Sequence, residues 1–119
     1  MAQEFTPGDI LVFQLESGYG LMRVLAIDDT QKDTVWHVAA YRDLFLDVDS
    51  AESAVNSDGG LTVELPHAAL TNRAFESTQV AKLTNLPLTD HDLEGFIQWQ
   101  TSADPQIHDR SIRLLLGLR

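Results

Sequence analysis

The four histidines are the side chains that most invite a chemical reading, because imidazole ligates metals and exchanges protons near neutral pH. His91 lies in Asp90-His91-Asp92 and His108 precedes Asp109, so each has a carboxylate neighbour. A zinc site needs several converging ligands, and the chain offers no His-x-x-x-His spacing and no cysteine. No metal and no cofactor are therefore expected. His37 falls inside an apolar run and reads as a sheet residue with a satisfied ring. Nucleophilic catalysis lacks its signature too: no Gly-x-Ser-x-Gly elbow occurs, and Ser17-Gly18 reads as a turn pair. Gly18-Tyr19-Gly20 has too few glycines for a phosphate or dinucleotide loop and reads as part of a hairpin. Carboxylates are plentiful, but their spacing singles out no pair for acid–base work. The expectation is a protein that is not an enzyme, with no catalytic residue.

Eighteen acidic residues stand against 8 basic ones, a formal net charge of −10. Nucleic acid and anionic membranes recruit clustered Lys and Arg, so neither is an expected partner. A basic protein is, because complementary fields speed encounter and exclude wrong partners. The same charge also serves solubility alone. The acidity is uneven: residues 1–60 hold 11 acids and 3 bases, residues 61–119 hold 7 and 5. A chain of 119 residues, 44% hydrophobic, can bury one core, so residues 1–119 are read as a single domain. The absence of cysteine suits a reducing compartment. Met1 to Gly8 has no basic segment followed by an apolar one, and Leu114-Leu115-Leu116 is cut short by Gly117. A cytoplasmic protein is expected.

These residues must be positioned by a mixture of strands and short helices. Ile10-Leu11-Val12-Phe13 opens a strand ending at Leu15, Glu16-Ser17-Gly18 turns the chain, and a second strand follows from Tyr19 to Ile27. A polar stretch, Asp28 to Asp33, separates it from a third strand over Thr34 to Tyr41, rich in residues that suit a half-buried pleat. Apolar residues occupy both faces of the first and third strands, which predicts a sheet covered on both sides or curled toward a barrel. Asp49-Ser50-Ala51-Glu52 carries the signature of a helix start, with Asp49 as cap. Leu61 to Leu65 alternates as a strand that Pro66 is expected to stop. Residues 67–76 read as a short helix or turn, and Thr78 to Leu83 as a strand. Thr89-Asp90-His91-Asp92 fits a capping pattern for a helix carrying Leu93, Phe96 and Ile97 on one side. Residues 111–118 fit either strand or helix. The fold class is α+β: a curled antiparallel meander of about five to six strands, open or barrel-like, with two or three short helices.

The segment Tyr41 to Asp49 mixes aspartates with Leu44, Phe45 and Leu46 just beyond a strand. Phe45 is expected to pin the loop to the core. Asp43, Asp47, Asp49 and Glu52 are the candidate partner-binding residues, suited to a basic surface. Trp36 and Trp99 read first as core and second as interface anchors.

Gly8-Asp9-Ile10 with its apolar strand, then Gly18-Tyr19-Gly20 and Arg23-Val24-Leu25, resembles the opening of the immunity protein 26 family. Tyr41, the Leu44 to Glu52 stretch, Val80 to Leu83, Pro87-Leu88 and Phe96-Ile97-Gln98 fall in the same order, while the helix after Thr89 and Ser111 to Arg119 depart from it. The resemblance implies a bacterial immunity protein that neutralises a cognate toxin domain by occlusion and needs no catalytic residue. Two further readings stand beside it. One is a small-molecule-binding or enzymatic domain whose pocket in the curled sheet carries His37, Tyr41 and Arg23. The other is a structural subunit that forms homo-oligomers through an exposed edge.

Overall fold

The computed structural model describes residues 5–29, 33–57 and 60–117. Strands β1 (Asp9–Leu15), β2 (Gly18–Asp29) and β3 (Thr34–Tyr41) run antiparallel as an up-and-down meander. Leu15 pairs with Gly18, so Glu16 and Ser17 alone make the first turn. Helix α1 (Val48–Val55) follows, and β4 (Val63–Thr71) then pairs with β3. After helix α2 (Asn72–Glu76), β5 (Val80–Asn85) returns to the far edge beside β1. Helices α3 (Glu94–Gln100) and α4 (Ile112–Leu115) complete the chain. The result is an α+β fold with a five-stranded antiparallel sheet, ordered β4-β3-β2-β1-β5.

Several expectations need correction. The sheet ends at β4 and β5 rather than closing as a barrel; its five strands fall within the expected five to six, while four short helices accompany it among the described residues rather than two or three. Pro66 does not stop a strand. β4 runs through it because β4 is an edge, where a missing N–H breaks no inner ladder, and the β3–β4 register shifts just opposite. The cap of α1 is Asp47, not Asp49: its Oδ1 accepts from the Ser50 backbone N–H at 2.7 Å. Asp49 instead lies in the first turn, where a carboxylate favours the helix dipole. The Thr89–Asp92 pattern does form, with Thr89 N–H and hydroxyl donating to Asp92 and Asp92 N–H donating back to Thr89 Oγ1. It organises the turn before α3, whose helical residues begin only at Glu94.

Both faces of the sheet are covered, because inward residues alternate on each strand. One face is wholly apolar: Leu11, Phe13, Met22, Val24, Trp36 and Val38 pack under α2 and α4, with Phe75 and Ile112 buried among them. Trp36 stacks on Phe75 with ring centroids 3.9 Å apart and donates its indole N–H to Asn72 Oδ1 at 2.9 Å. Burying each large side chain here stabilises the fold by about 1.5–3 kcal/mol. The opposite face holds Ile10, Val12, Leu21 and Tyr41 under Ala51 of α1. It also carries Arg23 and His37, both buried. That second face is where the chemistry lies.

Candidate functional site

β2 is irregular at its middle. Val24 pairs with Val38 and Ala26 with His37, so Leu25 is an extra residue and the side-chain parity of β2 reverses there. Before the bulge the even residues Met22 and Val24 join the apolar core; beyond it the odd residue Ile27 does. Asp28 is thereby placed on the face of His37. Its Oδ2 lies 2.8 Å from His37 Nε2. On the other flank His37 pairs with Ala69, which makes His67 its diagonal neighbour, and His67 Nε2 lies 2.9 Å from His37 Nδ1. The rings of Phe96 and Trp99 on α3 close over His37 at centroid distances of 4.6 and 4.7 Å. Trp99 is held in turn by its indole N–H donating to Gln106 O at 2.7 Å.

At the Asp28 end of the array the carboxylate oxygen is the acceptor. His37 Nε2 therefore donates to Asp28, and His37 Nδ1 and His67 Nε2 share a second hydrogen bond. Burial first, then His37 and His108, lowers the His67 pKa to about 4. The array is a carboxylate–imidazole–imidazole chain that ties β2, β3 and β4 together across their shared face. Among the described residues the His67 side chain makes no other hydrogen bond. Among the same residues, no group of at least three His, Cys, Asp or Glu could hold a metal ion. His91 and His108 are both exposed; His91 Nδ1 lies 3.4 Å from Glu94 Oε1.

Beside this array, between β2–β4 and the start of α3, is a cavity of about 300 Å³. Leu25, Ala39, Val63 and Pro66 form apolar walls, and Arg23 and Tyr41 line it as well. Of the three residues named for a pocket in the sheet, Arg23 and Tyr41 line this cavity and His37 lies outside it. Arg23 is clamped: Nη1 donates to Asp92 Oδ2 at 3.1 Å, and Nη2 donates to the carbonyls of Leu86 and Pro87 at 2.8 and 3.0 Å. Its Nε is buried with no hydrogen-bond partner among the described residues. Burial alone would push the Asp92 carboxyl up, but hydrogen bonds from Thr89 and the charges of Arg23 and His91 hold it below the usual range. Burial raises the pKa of Tyr41 against the pull of Arg23, so its hydroxyl keeps its proton.

The predicted partner-binding residues lie on the loop after β3 and on α1. Asp43 accepts from the Thr62 backbone N–H, and Asp47 caps α1. Asp49 and Glu52 are exposed, three residues apart on one side of the helix. Phe45 packs against the second core cluster and exchanges backbone hydrogen bonds with Tyr19 at 2.8 and 2.9 Å, so the loop is fastened to the sheet. Leu44 and Leu46 are nonetheless 50% and 87% exposed. Trp36 is core, whereas Trp99 covers His37 and is half-buried. The sequence reading missed Asp28, which it placed in a polar loop, and His67, which fell in a segment with no clear period. Simple alternation through Pro66 would have put His67 with Leu65 on the apolar core; the register shift between Leu65 and Ala68 turns it to the His37 face.

No family model, curated protein or solved structure matches the chain. Among the described residues no helix is long and apolar enough to cross a membrane.

Proposed function

We propose that this chain is a non-enzymatic protein-binding domain, an immunity-type inhibitor that neutralises a basic bacterial toxin domain in the cytoplasm by covering it. The observation that carries this reading is Leu46, 87% exposed on a loop whose backbone is pinned on both sides. Phe45 bonds to Tyr19, Asp43 holds Thr62, and Asp47 caps α1. A fastened loop loses little conformational freedom on binding, so its exposed apolar side chains are pre-organised contacts. Asp47, Asp49 and Glu52, all exposed, follow them closely in the chain and add negative charge, which suits a cationic rim on the partner.

The test is to search the flanking genes for a toxin-like domain and co-express the chain with it; absence of any such neighbour counts against the proposal. The chain should restore growth, and Leu46→Arg combined with Asp49→Lys should abolish protection while the thermal midpoint stays put. Failure of the unaltered chain to protect, or full protection by the double variant, would overturn the proposal.

A further inference from the structure

We infer that the cavity where β5 parts from β1 binds a small organic monocarboxylate with an apolar body, a role that goes beyond surface recognition and does not depend on it. Val80 of β5 pairs with Phe13, and no later β1 residue has a β5 partner, so Gln14 is unpaired on that side. The gap is a cavity of about 530 Å³, large enough for a substituted ring. Val12, Val80 and Ala81 give it apolar walls, and Gln14, Tyr19 and Arg113 line it as well.

Arg113 supplies the charge. Ile112 is buried in the core and Ser111 Oγ accepts from the Leu114 N–H, which fixes the turn that carries Arg113. Arg23, Arg42, Arg73 and Lys82 each meet a carboxylate. Arg113 meets none among the described residues, and its guanidinium makes no hydrogen bond among them. Arg110 also lacks a carboxylate but is exposed, whereas Arg113 is half-buried against the cavity. Of the Arg113 nitrogens only Nε is shut away from solvent, so both Nη groups stay reachable with their donors unused. A guanidinium presents such donors as a fork that fits a carboxylate.

The surroundings select a single negative charge. Among the described residues no Asp or Glu lines this cavity, whereas Asp92 and Glu94 line the one under α3. Arg113 therefore makes a local positive site in a chain of net charge −10. One guanidinium matches one anionic group, and the field of the whole chain opposes a second. A cationic ligand would be repelled by Arg113, and a neutral one would leave its charge without a counterpart. The Tyr19 hydroxyl and the Gln14 amide, neither hydrogen-bonded among the described residues, add neutral donors.

Benzoate, benzamide and phenyl phosphate share one ring and differ in charge. Each is titrated into the full chain at low salt and followed by amide NMR shifts. Benzoate should give saturable shifts at Tyr19, Ala81 and Arg113 with a Kd of about 1 mM or tighter. Benzamide and phenyl phosphate should bind roughly tenfold more weakly. Arg113→Gln should remove the preference for benzoate over benzamide while the thermal midpoint holds, and Arg113→Lys should restore only part of it. Ala81→Trp, at an exposed position of β5, leaves Arg113 intact and should block benzoate by filling the cavity. The site is refuted if benzoate gives no saturable shifts in the cavity, if benzamide or phenyl phosphate binds as tightly, or if Ala81→Trp leaves benzoate binding unchanged.

Discussion

His67 is the group whose protonation the fold most clearly opposes. Its pKa is lowered to about 4 from an ordinary value of 6.5, chiefly by burial. Between those two pH values the unfolded chain binds a proton there that the native state refuses, so stability rises with pH across the window. The contribution is complete above pH 6.5 and is lost as pH falls through about 4. Since the ring is only half-buried, screening by water reduces the full linkage figure to about 1–2 kcal/mol. Urea unfolding at pH 7 and at pH 4.5 should show this loss, and His67→Gln should flatten that part of the profile. An unchanged slope in the variant would mean that other groups carry the acid sensitivity. Asp9 is buried too, but to the opposite effect: burial alone would raise its pKa, yet bonds from Asn85 and Thr6 and the Lys82 charge outweigh that and hold it ionised. Its place after Gly8 marks a structural anchor for β1 and β5.

The β1–β2 hairpin shows how much of an element is local chemistry. Gly20 pairs with Phe13, and a Cβ on Gly20 would meet the Phe13 ring at 2.7 Å. The ring lies across the glycine, so the hairpin needs its smallest residue opposite Phe13. Gly20→Ala should therefore destabilise the protein by about 1–3 kcal/mol, read as a lower urea midpoint with an unchanged m-value. A near-neutral result would show that the ring swings aside freely. The turn at Glu16-Ser17 and the bounds of β3 were legible because alternation and turn residues are properties of short windows. The start of α1 was not, since Asp47 and Asp49 both have capping chemistry and only the fastening of Phe45 to Tyr19 sets where the helix begins. Pro66 misled for a similar reason: whether proline ends a strand depends on whether the strand is an edge.

The whole chain carries a net charge of −10, concentrated in its first half. Like charges repel within the compact state, so screening should stabilise it. Raising NaCl from about 10 mM to about 150 mM shortens the Debye length from about 30 Å to about 8 Å and should raise the urea midpoint. The same addition should slow association with a basic partner. A midpoint that falls with salt would mean that ion pairs such as Arg23–Asp92 and Lys82–Asp9 outweigh the general repulsion.

Charge, the lack of cysteine, the α+β class and the sides of β1 and β3 follow from residue type and period, which act over a few residues. Which polar groups meet does not. Asp28, His37 and His67 come together only because a bulge at Leu25 reverses the parity of β2 and because the β3–β4 register shifts opposite Pro66. Arg23 and Tyr41 face a cavity only because the Thr89–Asp92 turn carries a carboxylate back across the sheet. Pairing register and the packing of distant segments are long-range choices, decided by which arrangement buries the apolar faces while leaving each buried polar group a partner.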